Sequence, residues 1–283
     1  MPTPSPAPDQ PAGATSTAPG AGAEPEPPEG SRAPRRPRRL AAVAAALGAG
    51  ARRAPFVEDE VLGLAQLVGP GAVCVDVGAE FGLYTWTLAH LVGPAGAVHA
   101  IEPQPDLTRV LRLAKRLVGA AHVTVHQLAL GAEPGRGHLS LPSRRGMRVH
   151  GRAFLSDGTH GLGSNAEFSR HRSLPVEVDT LDAVAARLAL ARLDLVKADV
   201  EGAEERLLAG GSTTLATFRP HLLLELEDRH MMRFDTSARS VVGRLETFGY
   251  TPSHWADGAW RPGIVGRNVL FRADAAADGS RRG

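Results

Sequence analysis

The chain has 283 residues, of which 43% are apolar and 22% are charged, so it can bury one substantial core. Residues 1–54 carry seven Arg against four Asp or Glu, a net charge of +3, and by difference from the total of +2 the remainder carries −1. A nearly neutral folded part argues against a nucleic-acid partner. No stretch approaches the ~20 apolar residues that a membrane span needs.

The two ends of the chain differ in composition from its middle. Residues 1–54 are rich in Pro, Ala, Gly and Arg, and such a segment buries too little apolar surface to offset the entropy of ordering. We therefore expect disordered tails at residues 1–54 and 274–283, and a single catalytic domain at residues 55–273.

An Arg-rich run at residues 35–39 is followed by an Ala-rich run at residues 40–47. Two interpretations fit it, an export signal or a basic tail that ends in a short Ala-rich helix, and its distance from Met1 favours the tail.

Cys74 is the single cysteine and lies in an apolar strand pattern, which predicts a packed core thiol. One buried thiol is typical of a reducing compartment, and we expect a cytoplasmic protein.

Strand-like and helix-like patterns alternate from residue 56 onward. This alternation predicts βαβ units and a mainly parallel sheet with helices on both faces. Strands are predicted at residues 73–77, 97–102, 123–130, 176–178, 193–200 and 221–226, and helices at residues 83–92, 107–117, 179–190, 203–209 and 237–248. Two last strands, at residues 250–254 and 268–272, are predicted to form an antiparallel hairpin at the sheet edge.

Two details of this pattern concern packing and loops. The spacing of apolar residues predicts one buried face for the helix at residues 107–117. That face consists of Leu107, Val110, Leu111, Ala114 and Leu117. Residues 143–172 are rich in Gly, Arg and His and predict an irregular segment, either a functional lid or a solvated insertion.

A turn with two glycines, Gly78-x-x-x-Gly82, follows the first predicted strand. Ligands of open α/β sheets lie beyond the carboxyl ends of the strands, where glycine lets the backbone approach them closely. A dinucleotide turn needs glycine at the place of Glu80, whose charge would repel a pyrophosphate. S-adenosylmethionine has no phosphate and carries a cationic sulfonium. The turn therefore favours this cofactor, and an NAD-dependent oxidoreductase is the alternative.

Acidic residues end two other predicted strands. Glu102 lies 24 positions after Gly78, where a carboxylate can accept hydrogen bonds from ribose hydroxyls. Lys197, Asp199 and Glu201 alternate along a central strand, and alternate residues share one side. Asp199 and Glu201 are therefore expected to emerge together beside the reactive end of the cofactor. Lys197 is equally consistent with a structural ion pair.

Six sequence blocks together resemble the FkbM family of methyltransferases over roughly residues 56–273. The blocks are Asp76-Val-Gly-Ala-x-x-Gly-x-Tyr-Thr, Ile101-Glu102-Pro103-x-Pro105, Thr180-Leu181-Asp182, Val-Lys197-Ala-Asp199-Val-Glu201-Gly-Ala-Glu204, Arg219-Pro220 with Glu225, and Asn268-Val-Leu-Phe271. Their order makes the resemblance more specific than any single glycine turn. One position departs from the family, which usually has Asn where this chain has Glu80.

The resemblance implies a class I fold, an α/β Rossmann-like, doubly wound seven-stranded sheet that is mainly parallel with one antiparallel C-terminal strand. It also implies S-adenosylmethionine-dependent O-methylation of a hydroxyl on a sugar, polyketide or other secondary metabolite. The implied cofactor-binding residues are Asp76, Gly78, Ala79, Glu80, Gly82, Tyr84, Thr85, Glu102, Pro103, Leu128, Ala129 and Asp199. In this set Glu102 holds the ribose, and Leu128 and Ala129 flank the adenine.

A sulfonium already activates its methyl group, so the protein has to align an acceptor oxygen and assist the loss of its proton. Asp199 or Glu201 is predicted to be the base, with His230 and His254 as alternatives. The eleven His show no close paired spacing, so we predict no metal. A small molecule that carries a hydroxyl is the expected partner. A catalytically silent cofactor-binding protein remains the other alternative.

Overall fold

Two β-sheets organise the protein in the computed structural model, which describes residue 3, residues 37–53 and residues 58–273. The strands, numbered in chain order, are β1 Val73–Val77, β2 Ala97–Ile101, β3 Val123–His126, β4 Ala129–Leu130, β5 Gly135–Arg144, β6 Met147–Arg148, β7 Phe154–Leu155, β8 Arg170–Asp179, β9 Leu195–Ala198, β10 His221–Glu225, β11 Tyr250–Ala256, β12 Ala259–Pro262 and β13 Asn268–Ala273. The larger sheet has the order β12-β11-β13-β10-β9-β1-β2-β3, and the smaller one pairs β4, β8, β5 and β6, with β7 beside β5.

Helices fill the connections between these strands. They are α1 Arg38–Arg53, α2 Leu83–Val92, α3 Pro105–Val118, α4 Leu181–Arg187, α5 Glu204–Ala209, α6 Ser212–Phe218, α7 Asp228–Met231 and α8 Ala238–Thr247. Short 3-10 helices lie at Asp59–Gln66, His150–Arg152, Gly163–Glu167 and Met232–Phe234. Within the described ranges, no helix is both long enough and apolar enough to span a lipid bilayer.

The larger sheet confirms the predicted fold class and adds one strand to it. Strands β3, β2, β1, β9 and β10 are mutually parallel, and β13 runs antiparallel to β10. Because β11 is antiparallel to β13, it runs in the direction of the parallel set. The extra strand β12 forms a hairpin with β11 at the edge. The last predicted strand, β13, therefore lies inside the sheet rather than at its edge.

The larger sheet separates two apolar cores. Alternate residues of a strand face opposite sides, so in β1 Cys74 packs in one core while Val75 and Val77 pack in the other. Helices α1, α2 and α3 cover the first core, and α4 to α8 contribute to the second. Cys74 is fully buried, and burial raises the pKa of its thiol, which agrees with the predicted core thiol.

The smaller sheet takes up the two ends of the irregular segment predicted at residues 143–172, while most of residues 145–169 is irregular as predicted, with two short 3-10 helices. Strands β5 and β8 pair antiparallel from Gly135 opposite Val178 to Ser143 opposite Arg170. The third predicted strand is also wrong in extent, because it ends at His126 and β4 joins the smaller sheet. Period-two alternation in β5, where Leu139 and Leu141 are buried, is the signal that could have revealed this sheet.

Two helices also differ from the predictions. The short helix α1 is present, and its residues Leu40 and Ala51 are buried against the body of the protein, so the disorder predicted up to residue 54 is wrong for this helix. Apart from residues 3 and 37, the other predicted tail residues lie outside the described ranges. In α3, Leu107 and Leu111 are buried as expected, whereas Val110 and Leu117 are exposed. The buried face continues instead through Val118.

Candidate active site

A cleft of about 560 Å³ opens beyond the carboxyl ends of β1, β2 and β9. This is the point where the chain order reverses, since β2 and β3 lie on one side of β1 and β9 and β10 on the other, and ligands of open α/β sheets bind there. The floor includes Gly78, Glu102 and Asp199, and the smaller sheet covers it with Leu139 and Phe154. Part of the segment at residues 143–172, for which a functional lid and a solvated insertion were both considered, therefore forms one wall of the site.

Glu102 is the buried carboxylate at the end of β2. Its Oε2 atom accepts a hydrogen bond from the Glu80 backbone N–H at 3.0 Å, and its Oε1 atom accepts one from the Gln104 backbone N–H at 2.8 Å. Burial raises the pKa of Glu102 to about 7, although these two hydrogen bonds oppose that rise. Each carboxylate oxygen has a further lone pair. The side chain is thus fixed in direction and can still accept hydrogen bonds from a ligand in the cleft.

The turn after β1 is held by residues that do not line the cleft. Asp76 is buried and accepts a hydrogen bond from the Thr85 hydroxyl, which ties β1 to the first turn of α2. Gly82 has a φ of 90° and precedes α2, and a Cβ there would lie 2.3 Å from the indole nitrogen of Trp86. Asp76, Gly82 and Thr85 therefore shape the turn. Gly78 and Glu80 are the residues of this turn that line the cleft and can contact a ligand.

Gly78 brings the turn against β9. Its φ is 76°, and a Cβ at this position would lie 1.9 Å from the backbone carbonyl oxygen of Asp199. Only glycine allows this approach of the two backbones. At this point the floor of the cleft therefore consists of backbone atoms.

A Gly78→Ala substitution should lower the free energy of unfolding by about 2–5 kcal/mol, because left-handed strain adds to a backbone clash. Gly71→Ala is the matched control, since Gly71 has a φ of 84° but no atom within 4 Å of its Cβ position. That control should cost only about 1–2 kcal/mol. Urea denaturation of both variants measures the difference, and equal losses would contradict the close approach.

The opposite end of the cleft is apolar. Leu128, Ala129 and Leu130 line it together with Ile101 from β2, and all four side chains are buried. Flat aromatic ligand groups bind in such apolar slots. Leu128 and Ala129, implied by the resemblance to flank the adenine, line this apolar end, and Pro103 lines the cleft next to Glu102. Their contact with a cofactor stays a prediction.

A second cavity of about 850 Å³ meets the cleft at Gly78, Glu80 and Asp199, which line both. Its other walls combine charged and apolar side chains. They are Leu47, Glu58, Ala79, Phe81, Leu83, Tyr84, Lys197 and Arg267. Ala79 and Tyr84, which were predicted to bind the cofactor, belong to this second cavity alone.

Three carboxylates converge at the junction of the two cavities. Oxygen atoms of Glu58, Asp199 and Glu225 all lie within 4.8 Å of one another. Arg267 lies 3.0 Å from Glu58 and 3.1 Å from Glu225, so the cluster contains a cation of its own. Burial and the Asp199 charge raise the pKa of Glu225 far above its ordinary value. The prediction that no metal binds stays a prediction.

Lys197 adds a second cation to this region. It is almost fully buried, and its Nζ atom lies 4.9 Å from the centre of the Tyr84 ring and donates to the Ala198 carbonyl at 3.2 Å. The surrounding carboxylates raise its pKa against the effect of burial, so it stays charged. Lys197 therefore balances the charge of the acidic junction, but its close contacts are a carbonyl oxygen and an aromatic ring rather than the ion pair considered for it.

Glu201 points toward a different group of residues. Its Oε2 atom lies 3.2 Å from His230 Nδ1, 3.7 Å from Arg152 Nε and 4.0 Å from Arg233 Nη2. Burial and the Asp199 charge raise the pKa of Glu201 to about 8, while burial lowers the pKa of His230. Glu201 lines the cleft, but it is held by a buried network behind it.

The strand alternation predicted for Lys197, Asp199 and Glu201 fails because β9 ends at Ala198 and Glu201 has a φ of 54°. His230 is buried behind Glu201 and lines neither cavity, so it cannot contact an acceptor directly. His254 lies on the β11–β12 hairpin, with its Nδ1 atom 3.3 Å from the Gly263 carbonyl oxygen. Of the predicted bases, only Asp199 faces both cavities.

Sequence reasoning missed the residues that reach the site over long distances in the chain. Gln104, His150 and Phe154 line the cleft, and His150 Nδ1 lies 2.6 Å from Gln104 Oε1. Glu58 and Arg267 form their ion pair across more than 200 positions. Gln104 lies only two residues after Glu102, so its place near the cleft could have been inferred from the sequence. No local sequence pattern indicated the other residues.

The chemistry of the cleft lining suits S-adenosylmethionine. It combines an apolar slot at Leu128, a fixed carboxylate at Glu102 and backbone atoms at Gly78, the groups that the resemblance implies for adenine, ribose and methionine. Acidic side chains at the junction suit a cationic sulfonium and an amino group. A pyrophosphate would meet Glu80 and Asp199 there, which disfavours a dinucleotide.

The model of the methyltransferase FkbM domain matches residues 76–252, which is more than half of the chain. The chain belongs to the FkbM methyltransferase family. A relative from Streptomyces tacrolimicus, the 31-O-demethyl-FK506 methyltransferase FkbM, is 32% identical over 209 residues, which cover 64% of this chain and 74% of that protein. The resemblance drawn from the six sequence blocks is thereby confirmed.

Two solved structures in this comparison are more distant from the FkbM-family chain. The methyltransferase FkbM from Methylobacillus flagellatus is 15% identical with a TM-score of 0.46, and the match covers 83% of this chain but only 58% of that one. Aeropyrum pernix fibrillarin with bound S-adenosylmethionine is 11% identical with a TM-score of 0.42, and the match covers 76% and 73% of the two chains. S-adenosylmethionine is the cofactor of this methyltransferase family, as predicted.

Proposed function

We propose that this protein transfers a methyl group from S-adenosylmethionine to a hydroxyl oxygen of a small molecule that enters the second cavity. The observation that carries the proposal is the junction of the two cavities at Gly78, Glu80 and Asp199. A cofactor with its adenosine held by Glu102 and Leu128 has its methionine end at this junction. An acceptor in the second cavity would then lie across Gly78, Glu80 and Asp199 from the cofactor, and displacement needs the acceptor oxygen to be aligned with the methyl group.

The cofactor, when bound, supplies a methyl group on a positively charged sulfur atom. The task of the chain is to hold an acceptor hydroxyl against it and to accept the hydroxyl proton. Asp199 follows β9 and is the one predicted base that lines both cavities. Its carboxylate can accept the hydroxyl hydrogen bond, which aims an oxygen lone pair at the junction. Lys197 and Arg267 balance the local negative charge without blocking the cavity.

The second cavity supports an acceptor with both hydroxyl groups and apolar parts. Glu58 and Arg267 offer hydrogen-bond partners to hydroxyls, while Leu47, Leu83 and the exposed ring of Phe81 offer apolar contact. The name of the Streptomyces relative specifies methyl transfer to an oxygen, which supports an oxygen acceptor here. A sugar, polyketide or other secondary metabolite of the cytoplasm is the acceptor class we propose.

Comparison of metabolites from cells with and without the gene tests this proposal. A product that lacks ~14 mass units per methyl in the deletion strain identifies the acceptor. Purified protein with methyl-labelled S-adenosylmethionine should then restore the missing mass, and fragmentation should place it on oxygen. Binding of the cofactor without label transfer to any extract fraction would favour a catalytically silent cofactor-binding protein. Label on nitrogen or carbon would contradict O-methylation.

A further inference from the structure

Glu80 occupies the boundary between the two cavities, where its side chain faces both. Its backbone N–H donates to Glu102 Oε2 at 3.0 Å, and its φ of 46° lies in the left-handed region that non-glycine residues rarely adopt. The carboxyl group extends to the cover of the cleft, since a Cβ built on Gly151 would lie 2.8 Å from Glu80 Oε1. The backbone of Glu80 is thus fixed at the junction, and its carboxyl group lies against Gly151 of the cover.

The groups that face Glu80 are mostly acidic. Asp199, Glu102 and Glu58 repel its charge, and Lys197 is the cation that opposes them. From the cover, His150 lies beside Gly151, and burial lowers the pKa of this histidine, which keeps it neutral near pH 7. Burial and the Asp199 charge raise the pKa of Glu80 to about 8. An additional positive charge at the junction would therefore be stabilised strongly by this site.

The two forms of the cofactor differ by such a charge. The methyl donor carries a positive sulfonium, whereas the product S-adenosylhomocysteine has a neutral sulfur atom at the same place. We propose that the Glu80 carboxyl group makes this cleft select the cationic methyl donor over its neutral product. This inference rests on the proposed function, because it places the sulfur atom at the junction.

The selection works through one proton. Near pH 7 the Glu80 carboxyl group of the free protein is mostly protonated, since its pKa is raised to about 8. A sulfonium at the junction favours the carboxylate, so binding of the methyl donor releases a proton to solvent. After methyl transfer the sulfur atom is neutral, the carboxylate is again repelled by Asp199 and Glu102, and it takes a proton back. The product then gains no charge attraction from Glu80 and dissociates more readily.

Isothermal titration calorimetry of the full chain with three ligands tests this selection. S-adenosylmethionine, S-adenosylhomocysteine and the cationic, non-transferable analogue sinefungin are titrated into wild type and Glu80→Gln. Glu80→Gln should lower the preference for each cationic ligand over S-adenosylhomocysteine at least about tenfold. Glu246→Gln, at an exposed position of α8 outside both cavities, is the matched control for total charge and should keep the wild-type preference.

Proton release gives an independent readout in the same experiment. In wild type at pH 7, the binding enthalpy of S-adenosylmethionine should vary with the ionisation enthalpy of the buffer, and that of S-adenosylhomocysteine should not. The preference for the methyl donor should rise as pH increases toward about 8 and level off above it. Glu80→Gln should weaken both the buffer dependence and the pH dependence, and what remains belongs to the other carboxyl groups with raised pKa values, such as Glu102.

The outcomes separate this inference from the proposed function. An unchanged ligand preference in Glu80→Gln, or an equal change in Glu246→Gln, would overturn the role of Glu80 while leaving the cofactor assignment intact. A wild-type protein that binds none of the three ligands would instead overturn the proposed function. Circular dichroism of each variant confirms that the fold is retained.

Discussion

Glu102→Ala should abolish detectable S-adenosylmethionine binding in calorimetry. The carboxyl group is the acidic side chain that the end of β2 presents to the cleft, and its direction is fixed by two backbone donors. Alanine removes the acceptors for the ribose hydroxyls and leaves the N–H groups of Glu80 and Gln104 without a partner. Each hydrogen bond to a charged group contributes about 1.5–3 kcal/mol, so the loss of two ribose hydrogen bonds lowers the affinity by ~10²–10⁴-fold.

Two further variants show whether the loss is specific. Glu133→Ala removes an exposed carboxylate outside both cavities and should leave the dissociation constant unchanged. Glu102→Gln keeps the length of the side chain and should bind more weakly than wild type but more tightly than the alanine variant. A wild-type dissociation constant in a folded Glu102→Ala protein would remove Glu102 from the ribose assignment.

The parts of the fold that the sequence revealed are those with local signals. β1, α2 and β2 agree with their predicted bounds to within one residue, because buried parallel strands are continuous apolar runs and glycine or proline marks their ends. The positions of Gly78 and Glu102 relative to these strands follow from the same pattern. The places of Gly78 and Glu102 at the edge of the cleft were therefore predictable from local sequence, whereas Leu128 and Ala129 followed only from the family resemblance.

The rest of the site depends on pairings that no local pattern encodes. Strand β8 returns to pair with β5 and builds the cover of the cleft, while Arg267 reaches Glu58 from the other end of the domain. The spacing of apolar residues also does not fix which face of a helix turns toward the core. Val110 and Leu117 of α3 were predicted to be buried and are exposed. The left-handed residue Glu201 breaks the strand alternation on which its predicted partnership with Asp199 depended.

The charges at the junction bear on catalysis through the pair of Asp199 and Glu225. Because the Asp199 charge contributes to the raised pKa of Glu225, Glu225 retains a proton at neutral pH. A carboxyl group that holds its proton leaves its neighbour free to stay an acceptor. Arg267 adds a positive charge beside Glu225 and Glu58. This charge reduces the electrostatic repulsion among the carboxyl groups of the cluster.

Asp199→Asn should keep S-adenosylmethionine binding within a few-fold of wild type and lower methyl transfer by ~10²–10⁴-fold, the usual contribution of a proton acceptor. The amide is isosteric, and the close contact with Gly78 uses the backbone carbonyl of residue 199, which the substitution leaves in place. What is lost is the carboxylate that accepts the acceptor's proton. Turnover is measured by the methylated product in cells that carry the variant gene, and cofactor binding by calorimetry.

Glu225→Gln is the matched control for Asp199→Asn, because it removes a carboxyl group from the same cluster while Asp199 remains to accept the proton. It should retain most of the methyl transfer. If Asp199→Asn transfers methyl groups at the wild-type rate, the proton acceptor lies elsewhere and Glu201 becomes the next candidate at the cleft. If Asp199→Asn loses cofactor binding as well, Asp199 holds the methionine end of the cofactor and its effect on turnover follows from binding.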